Sequence, residues 1–215
     1  MAMSRKERSI DDFFRTRFSV ENNYVAVRYR ENNRIDYDIR LIKRYINHHS
    51  MVLDLGCGTG IIEERLAGDV YNILGVDKYK QFLNKAYRHP NVVYKTGDVV
   101  TYCDEALYDL ILSFGVIQYM DTDQINSMLQ NCSKMLLDSG HIIIKAQFGI
   151  KEAFTVDKYS EELGSHYYAC YHQIDDIVSA CKKLSYSVEV IDIYPEYLNR
   201  WENTHDYAVI LRKVK

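Results

Sequence analysis

The residues whose types and spacing point most directly to chemistry form a glycine-rich run, Asp54-Leu55-Gly56-Cys57-Gly58-Thr59-Gly60, set between an apolar run and a helix-like stretch. Glycine lacks a Cβ, so such a turn lets the backbone approach a ligand, and the helix that follows presents N–H groups without intrahelical partners. The spacing here is GxGxG, whereas a dinucleotide-binding loop requires GxGxxG, so the third glycine arrives one residue early. Asp54 stands two places before the first glycine. A carboxylate at that strand end repels a pyrophosphate and attracts a ligand cation.

Two further acids close the next two strands. Ile73-Leu74-Gly75-Val76-Asp77 ends on a carboxylate able to accept both hydroxyls of a ribose, which suits NAD and S-adenosylmethionine alike. In Lys95-Thr96-Gly97-Asp98-Val99, Asp98 is placed to accept from an adenine amine and Val99 to pack on the ring. Together with Asp54 these acids predict a pocket for a nucleoside with a cationic tail, such as the ammonium and sulfonium of S-adenosylmethionine.

Through Val52-Leu53-Asp54-Leu55-Gly56-Cys57-Gly58-Thr59-Gly60, Gly75-Val76-Asp77, Gly97-Asp98-Val99 and Tyr108-Asp109-Leu110-Ile111-Leu112-Ser113, the sequence resembles the class I S-adenosylmethionine-dependent methyltransferases. The resemblance covers residues 33 to 147 well and the last strands more loosely. It implies an α/β three-layer sandwich, with a seven-stranded, mostly parallel sheet whose last strand is antiparallel. It also implies that the glycine loop cradles the methionine part, Asp77 the ribose and Asp98-Val99 the adenine. The candidate cofactor residues are Asp54, Gly56, Cys57, Gly58, Gly60, Asp77, Lys78, Asp98, Val99, Ser113, Phe114, Gly115 and Tyr119. No metal is expected. An NAD-dependent Rossmann oxidoreductase and a non-catalytic cofactor-binding subunit stay open as alternatives.

Ligands of a parallel sheet bind outside the carboxyl ends of its strands, which sorts the histidines. His48, His49, His89 and His141 belong to the opposite edge, while His166, His172 and His205 can face the ligand. His166 and His172 are the candidate general bases for an acceptor that must lose a proton. His172 as a cap for the helix at Gln173, and His205 as a partner of Asp206, remain open. The fourth-strand end, Ser113-Phe114-Gly115-Val116-Ile117-Gln118-Tyr119, lacks the Asn/Asp-Pro-Pro-Tyr run of the family's exocyclic-amine enzymes. The sequence is more similar to the branch acting on small molecules, including hydroxyls of sugars and natural products. There an N-terminal helix and the segment after the fifth strand form a lid, which matches residues 9 to 30 and 148 to 171. Tyr24, Arg28, Tyr168 and Tyr171 are the candidate lid residues, with Phe13, Phe14, Tyr29 and Arg30 nearby.

The elements that position these residues follow from hydrophobic periodicity. Strands are expected at Met51 to Leu55, Tyr71 to Val76, Val92 to Lys95, Leu107 to Ser113 and His141 to Gln147, with closing runs Ser187 to Tyr194 and Tyr207 to Leu211. Helices are expected from Asn33 to Ile46, from Ile61, over Tyr79 to Tyr87, over Asp121 to Leu137 and from Gln173 to Leu184, with Ser9 capping a first helix. The 215 residues read as one domain: N-terminal helices at 9–47, a cofactor core at 51–147, a lid at 148–171 and a closing helix and strands at 172–215. A formal charge of −3 offers no large positive field, so nucleic acid is disfavoured and a small-molecule acceptor is expected. The five cysteines have no CxxC or zinc spacing. A charged N-terminus and the lack of a long apolar run predict a cytoplasmic protein without a membrane span. The oligomeric state, monomer or homodimer, is left open.

Overall fold

Alternating burial along the apolar runs decides the layers. The structure, a computed structural model, describes residues 4–26, 34–161, 163–199 and 201–214. The expected runs form β1 (Met51–Leu55), β2 (Asn72–Asp77), β3 (Val92–Thr96), β4 (Tyr108–Phe114) and β5 (Leu136–Gly149). Beyond them come β6 (Phe154–Ser160), β7 (Ser165–Tyr171), β8 (Tyr186–Asp192) and β9 (Thr204–Lys213). Seven of these form one sheet in the order β3-β2-β1-β4-β5-β9-β8, in which β1 to β5 pair in parallel and β9 runs antiparallel to both neighbours.

Helices cover both faces, as a mostly parallel sheet requires. They are α1 (Arg5–Phe18), α2 (Asn23–Ala26), α3 (Arg34–Ile42), α4 (Ile61–Leu66), α5 (Lys80–Leu83), α6 (Thr122–Met135) and α7 (Ile174–Lys183). One face of the sheet presents Leu53, Ile111, Ile142 and Ile144 to Met128 and Leu129 of α6 and Ile177 of α7. The other presents Val52, Leu110, Leu112 and Ile143 to Ile39 and Ile42 of α3 and Leu66 of α4. Successive strand residues point to opposite faces, so Asp54 follows Val52, and Lys145 follows Ile143, onto the α3/α4 face.

Three expectations change. Ser4, not Ser9, caps α1: its side chain accepts the Glu7 N–H and Glu7 accepts the Ser4 N–H in return, so the helix starts a turn earlier. The helix expected over Tyr79 to Tyr87 is the single turn α5. The segment 148–171, for which no strand was expected, contains the antiparallel hairpin β6–β7, with Tyr167, Ala169 and Tyr171 packed against Phe13 of α1. Arg28, Tyr29 and Arg30 lie outside the described residues, as does the side chain of Tyr24. Among the described residues no helix is long and apolar enough to cross a membrane.

One row across the α3/α4 face is unusually polar. Gly75 of β2 pairs with Asp54 of β1 on one side and Tyr94 of β3 on the other. A Cβ at Gly75 would come within 2.7 Å of Glu63 Oε1, 2.8 Å of the Tyr94 ring and 2.9 Å of Cys57 Sγ. Glycine there leaves room for the buried Glu63 carboxyl of α4. Gly75→Ala is expected to lower stability by about 1–3 kcal/mol in urea unfolding, the usual cost of overpacking. An unchanged unfolding midpoint would show that the row has space to spare.

Candidate active site

The chain leaves β1 through three glycines in the left-handed region, with φ of +88° at Gly56, +56° at Gly58 and +74° at Gly60. Other residues are strained in that region. A Cβ at Gly56 would also lie 2.4 Å from the Val116 side chain, so the loop lies directly against the turn after β4. The loop is fastened to the end of β2: Gly56 N–H donates to the Val76 carbonyl at 2.7 Å and Gly58 N–H to Asp77 Oδ2 at 2.9 Å. Tyr79 N–H donates to the other Asp77 oxygen at 2.8 Å.

Over these strand ends lies a cavity of about 420 Å³. Of the sequence candidates, Asp54, Gly56, Cys57 and Gly58 line it from the loop, and Asp77, Lys78, Asp98 and Val99 from the β2 and β3 ends. Phe114, Gly115 and Tyr119 line it from the β4 end. Gly60 and Ser113 do not: Gly60 opens α4, and Ser113 is buried with its hydroxyl 3.8 Å from Met128 Sδ. The roof is α1, which contributes Ser4, Lys6, Glu7, Ile10 and Phe14. Phe14 packs on Tyr79 and Tyr119 with ring centroids 4.9 and 5.1 Å apart, and Asp11 accepts the Tyr79 hydroxyl at 2.8 Å.

Asp54 dominates the electrostatics. Its residue is 1% exposed and neither carboxylate oxygen has a hydrogen-bond partner among the described residues. Burial pushes its pKa up to about 7, with the negative charge of Asp77 adding to the shift and Lys145 opposing it. A buried carboxylate without a donor is an incomplete site, and a ligand ammonium completes it. The residues therefore fit the methionine end of S-adenosylmethionine. Asp77 is also raised by burial, a shift opposed by the Tyr79 and Gly58 N–H groups. Asp98 stands exposed at the rim, with Oδ1 accepting the Val100 N–H at 2.9 Å.

The same cavity continues past Phe114 to a group of polar residues that the sequence reading missed. Lys145, at the end of β5, lies 2.5 Å from Asp38 of α3, which is fully buried. Lys145 Nζ also donates to the Tyr194 hydroxyl at 3.0 Å, and that hydroxyl donates to Asp38 Oδ1 at 2.8 Å. Arg34 pairs with Asp206 of β9 at 3.0 Å. Lys145, Tyr194, Arg34 and Asp206 all line the cavity. The available signals were two charges in apolar patterns: Lys145 directly after Ile142-Ile143-Ile144, and Asp38 on the helical stripe of Ile35, Ile39 and Ile42.

Neither candidate base, His166 nor His172, lines the cavity. Both follow β5 in sequence, but the hairpin carries His166 onto its outer face, where Nε2 sits 2.6 Å from Asp157. His172 is buried, with Nε2 3.1 Å from the carbonyls of both Ile117 and Met120, so it ties the end of β7 to the turn after β4. His205 pairs with Asp192 at 3.0 Å, not with Asp206. Tyr168 and Tyr171 also lie off the cavity: Tyr171 packs on Phe154, and Tyr168 faces Lys6 at 5.9 Å.

Comparison with known proteins agrees with this geometry. A family model described as a methyltransferase domain matches residues 52–140. The chain is 23% identical over 203 residues to the ubiquinone biosynthesis O-methyltransferase of Pelagibacter ubique (strain HTCC1062), covering 87% of this chain and 83% of that one. It is 29% identical over 98 residues to the protein of the same name from Pectobacterium carotovorum subsp. carotovorum (strain PC1), covering 42% of this chain and 40% of that one. The chain spans about half or less of several such relatives, from 39 to 56% of their length. In fold it is similar to the DhpI-SAM-HEP complex, with a TM-score of 0.74 at 14% identity, over 98% of this chain and 100% of that one.

Two outcomes follow from the side-chain placements. Because Asp54 must be ionised to hold an ammonium, S-adenosylhomocysteine affinity measured by calorimetry is expected to rise about tenfold from pH 6 to pH 8, and Asp54→Asn to remove that rise. A flat wild-type profile would contradict the assignment. His172→Ala is expected to cost about 1–3 kcal/mol in urea unfolding, because it removes the buried imidazole bonded to the Met120 carbonyl and shared with that of Ile117, which keeps the Met120 N–H.

Proposed function

We propose that this chain, a class I S-adenosylmethionine-dependent methyltransferase, methylates a hydroxyl of a small molecule held at the β4–β5 side of the cavity. The observation that carries this reading is the continuity of one roofed cavity, from the acids at β1, β2 and β3 to the Lys145 and Tyr194 wall. Its volume of about 420 Å³ falls in the ordinary range for small-molecule sites, roughly 300–1,000 Å³.

The sheet order sets the orientation. With β1 between β2 and β4, a ribose on Asp77 and an adenine at Asp98 and Val99 occupy the β2–β3 side, and an ammonium on Asp54 lies between that side and β4. When bound, the cofactor supplies a methyl group already activated by its sulfonium. The protein's own task is to align the acceptor and exclude water. Phe114 and Tyr119 wall the passage between the two halves, and α1 closes it from above. Arg34 with Asp206, and Lys145 with Asp38, leave the acceptor end close to neutral, which favours an uncharged acceptor over a phosphate backbone. The names of the ubiquinone relatives support oxygen as the methylated atom.

The test is to incubate the protein with S-adenosylmethionine and separate panels of phenols, sugars, primary amines and tRNA, and to find the methylated product by mass spectrometry. Transfer to hydroxyl compounds is expected. Transfer confined to amines or tRNA would contradict the reading, and no turnover with any panel would favour a non-catalytic subunit. Asp77→Ala is expected to weaken S-adenosylhomocysteine binding at least about tenfold, the loss of one or two hydrogen bonds to a charged group. Wild-type affinity in that variant would remove the ribose assignment.

A further inference from the structure

A hydroxyl that accepts a methyl group must give up its proton, and both histidines offered by the sequence lie off the cavity. Resting on the hydroxyl-acceptor reading, we propose that the acceptor's proton leaves through Tyr194 to the buried carboxylate of Asp38, with Tyr194 the catalytic residue that touches the hydroxyl and Lys145 the residue that positions both.

The geometry carries the argument. Tyr194 lines the cavity on the β5 side, and its hydroxyl already donates to Asp38 Oδ1 at 2.8 Å. That oxygen accepts one hydrogen bond, from Lys145 Nζ at 3.0 Å, and a phenolic oxygen has a second lone pair free for an acceptor O–H. Asp38 is 0% exposed, and it meets the cavity wall through Tyr194 at Oδ1 and Lys145 at Oδ2. Lys145, 2.5 Å from Asp38 Oδ2, holds that carboxylate in place and leaves Oδ1 turned to the Tyr194 hydroxyl. Tyr194 itself stays protonated between turnovers, because burial and the Asp38 charge push its pKa far up. It is thus a relay and not a standing phenolate.

The other groups around the ring are accounted for. Arg34 lies over the Tyr194 ring at 4.8 Å and pairs with Asp206, whose carboxylate is the competing base on this wall. Lys145 also lies 4.9 Å from the Phe114 ring, which places the cation at the boundary between the two halves of the cavity. In the step, the acceptor oxygen forms its bond to the methyl carbon while the C–S bonding pair stays on sulfur. The acceptor's proton passes to Tyr194 Oη as Tyr194's own proton passes to Asp38 Oδ1. One positive charge on sulfur and one negative charge on Asp38 disappear together, so the buried site keeps its net charge.

The experiment uses two probes, phenol and the more acidic 4-nitrophenol, with wild type, Tyr194→Phe and Asp206→Asn. First, 4-nitrophenol is titrated by absorbance on protein saturated with S-adenosylhomocysteine, where no turnover occurs. Wild type is expected to ionise the bound probe at least about one pH unit below the free one, a tenfold bias, and Tyr194→Phe to abolish that shift. Second, methylation of phenol is expected to fall about a hundredfold in Tyr194→Phe, the usual contribution of a proton acceptor, while methylation of 4-nitrophenol falls less than about tenfold. Equal slowing with both probes, or a retained ionisation shift in Tyr194→Phe, overturns the relay and leaves the hydroxyl reading standing. The same pattern in Asp206→Asn but not Tyr194→Phe also overturns it. Wild type that neither binds nor methylates either phenol overturns the relay, and turnover with no hydroxyl compound of the phenol and sugar panels overturns the hydroxyl reading with it.

Discussion

A carboxylate enclosed at the end of β1, with no donor among the described residues, is the constraint around which the site is arranged. Leaving a charge of that kind in a protein interior costs several kcal/mol unless the group takes a proton or gains a cation. Asp54 answers partly by the first route, since burial lifts its pKa to about 7. The second route is open to a ligand, because Gly56 and Gly58 let the backbone bend around the carboxylate and keep the cavity in contact with it. Strand alternation then decides which other charges share its space. Asp54, Lys145 and Asp206 each stand two residues from an apolar residue of the α3/α4 face, so β1, β5 and β9 deliver charge on that same face to one cavity.

That placement divides the cavity into halves of different chemistry. On the β2–β3 side the acids are held by backbone N–H groups: Asp77 by Gly58 and Tyr79, Asp98 by Val100. They are rigid acceptors suited to hydroxyls and amines of a nucleoside. On the β5–β9 side every acid is matched to a cation, Asp38 to Lys145 and Asp206 to Arg34. Buried pairs of that type contribute little net stability compared with apolar packing, and their value lies in fixing geometry. The roof is built differently. Helix α1 meets the body through aromatic edges and polar ties such as Lys6 to Asp121 at 3.4 Å, and exposed pairs of that kind are weak.

The sequence made the sheet and the cofactor half legible because both rest on local signals. The runs at Met51, Asn72, Val92 and Tyr108 are short, apolar and bounded by turn residues, and the structure places strands on each within a residue or two. Glycine spacing and the acids that follow those strands needed no knowledge of distant contacts. The acceptor half rests on long-range pairing: Asp38 and Tyr194 are 156 residues apart along the chain. Even so, Asp38 on an apolar helical stripe and Lys145 behind three isoleucines were departures from pattern of the sort that mark functional sites. The histidines misled for a topological reason. A residue after a parallel strand lies at the ligand edge only if the chain stays there, and β6–β7 carries His166 away before His172 returns beneath the turn. The aromatic residues on both faces of β7 hid its two-residue period, so the hairpin read as a lid.

The most direct measurement is a crystal structure of the protein with S-adenosylhomocysteine. The account predicts the ligand's ammonium on Asp54, its ribose on Asp77 and its sulfur turned toward Phe114, Lys145 and Tyr194. A ligand bound in the reverse sense, with adenosine at the β5 side or with Asp54 left unpartnered, would contradict it.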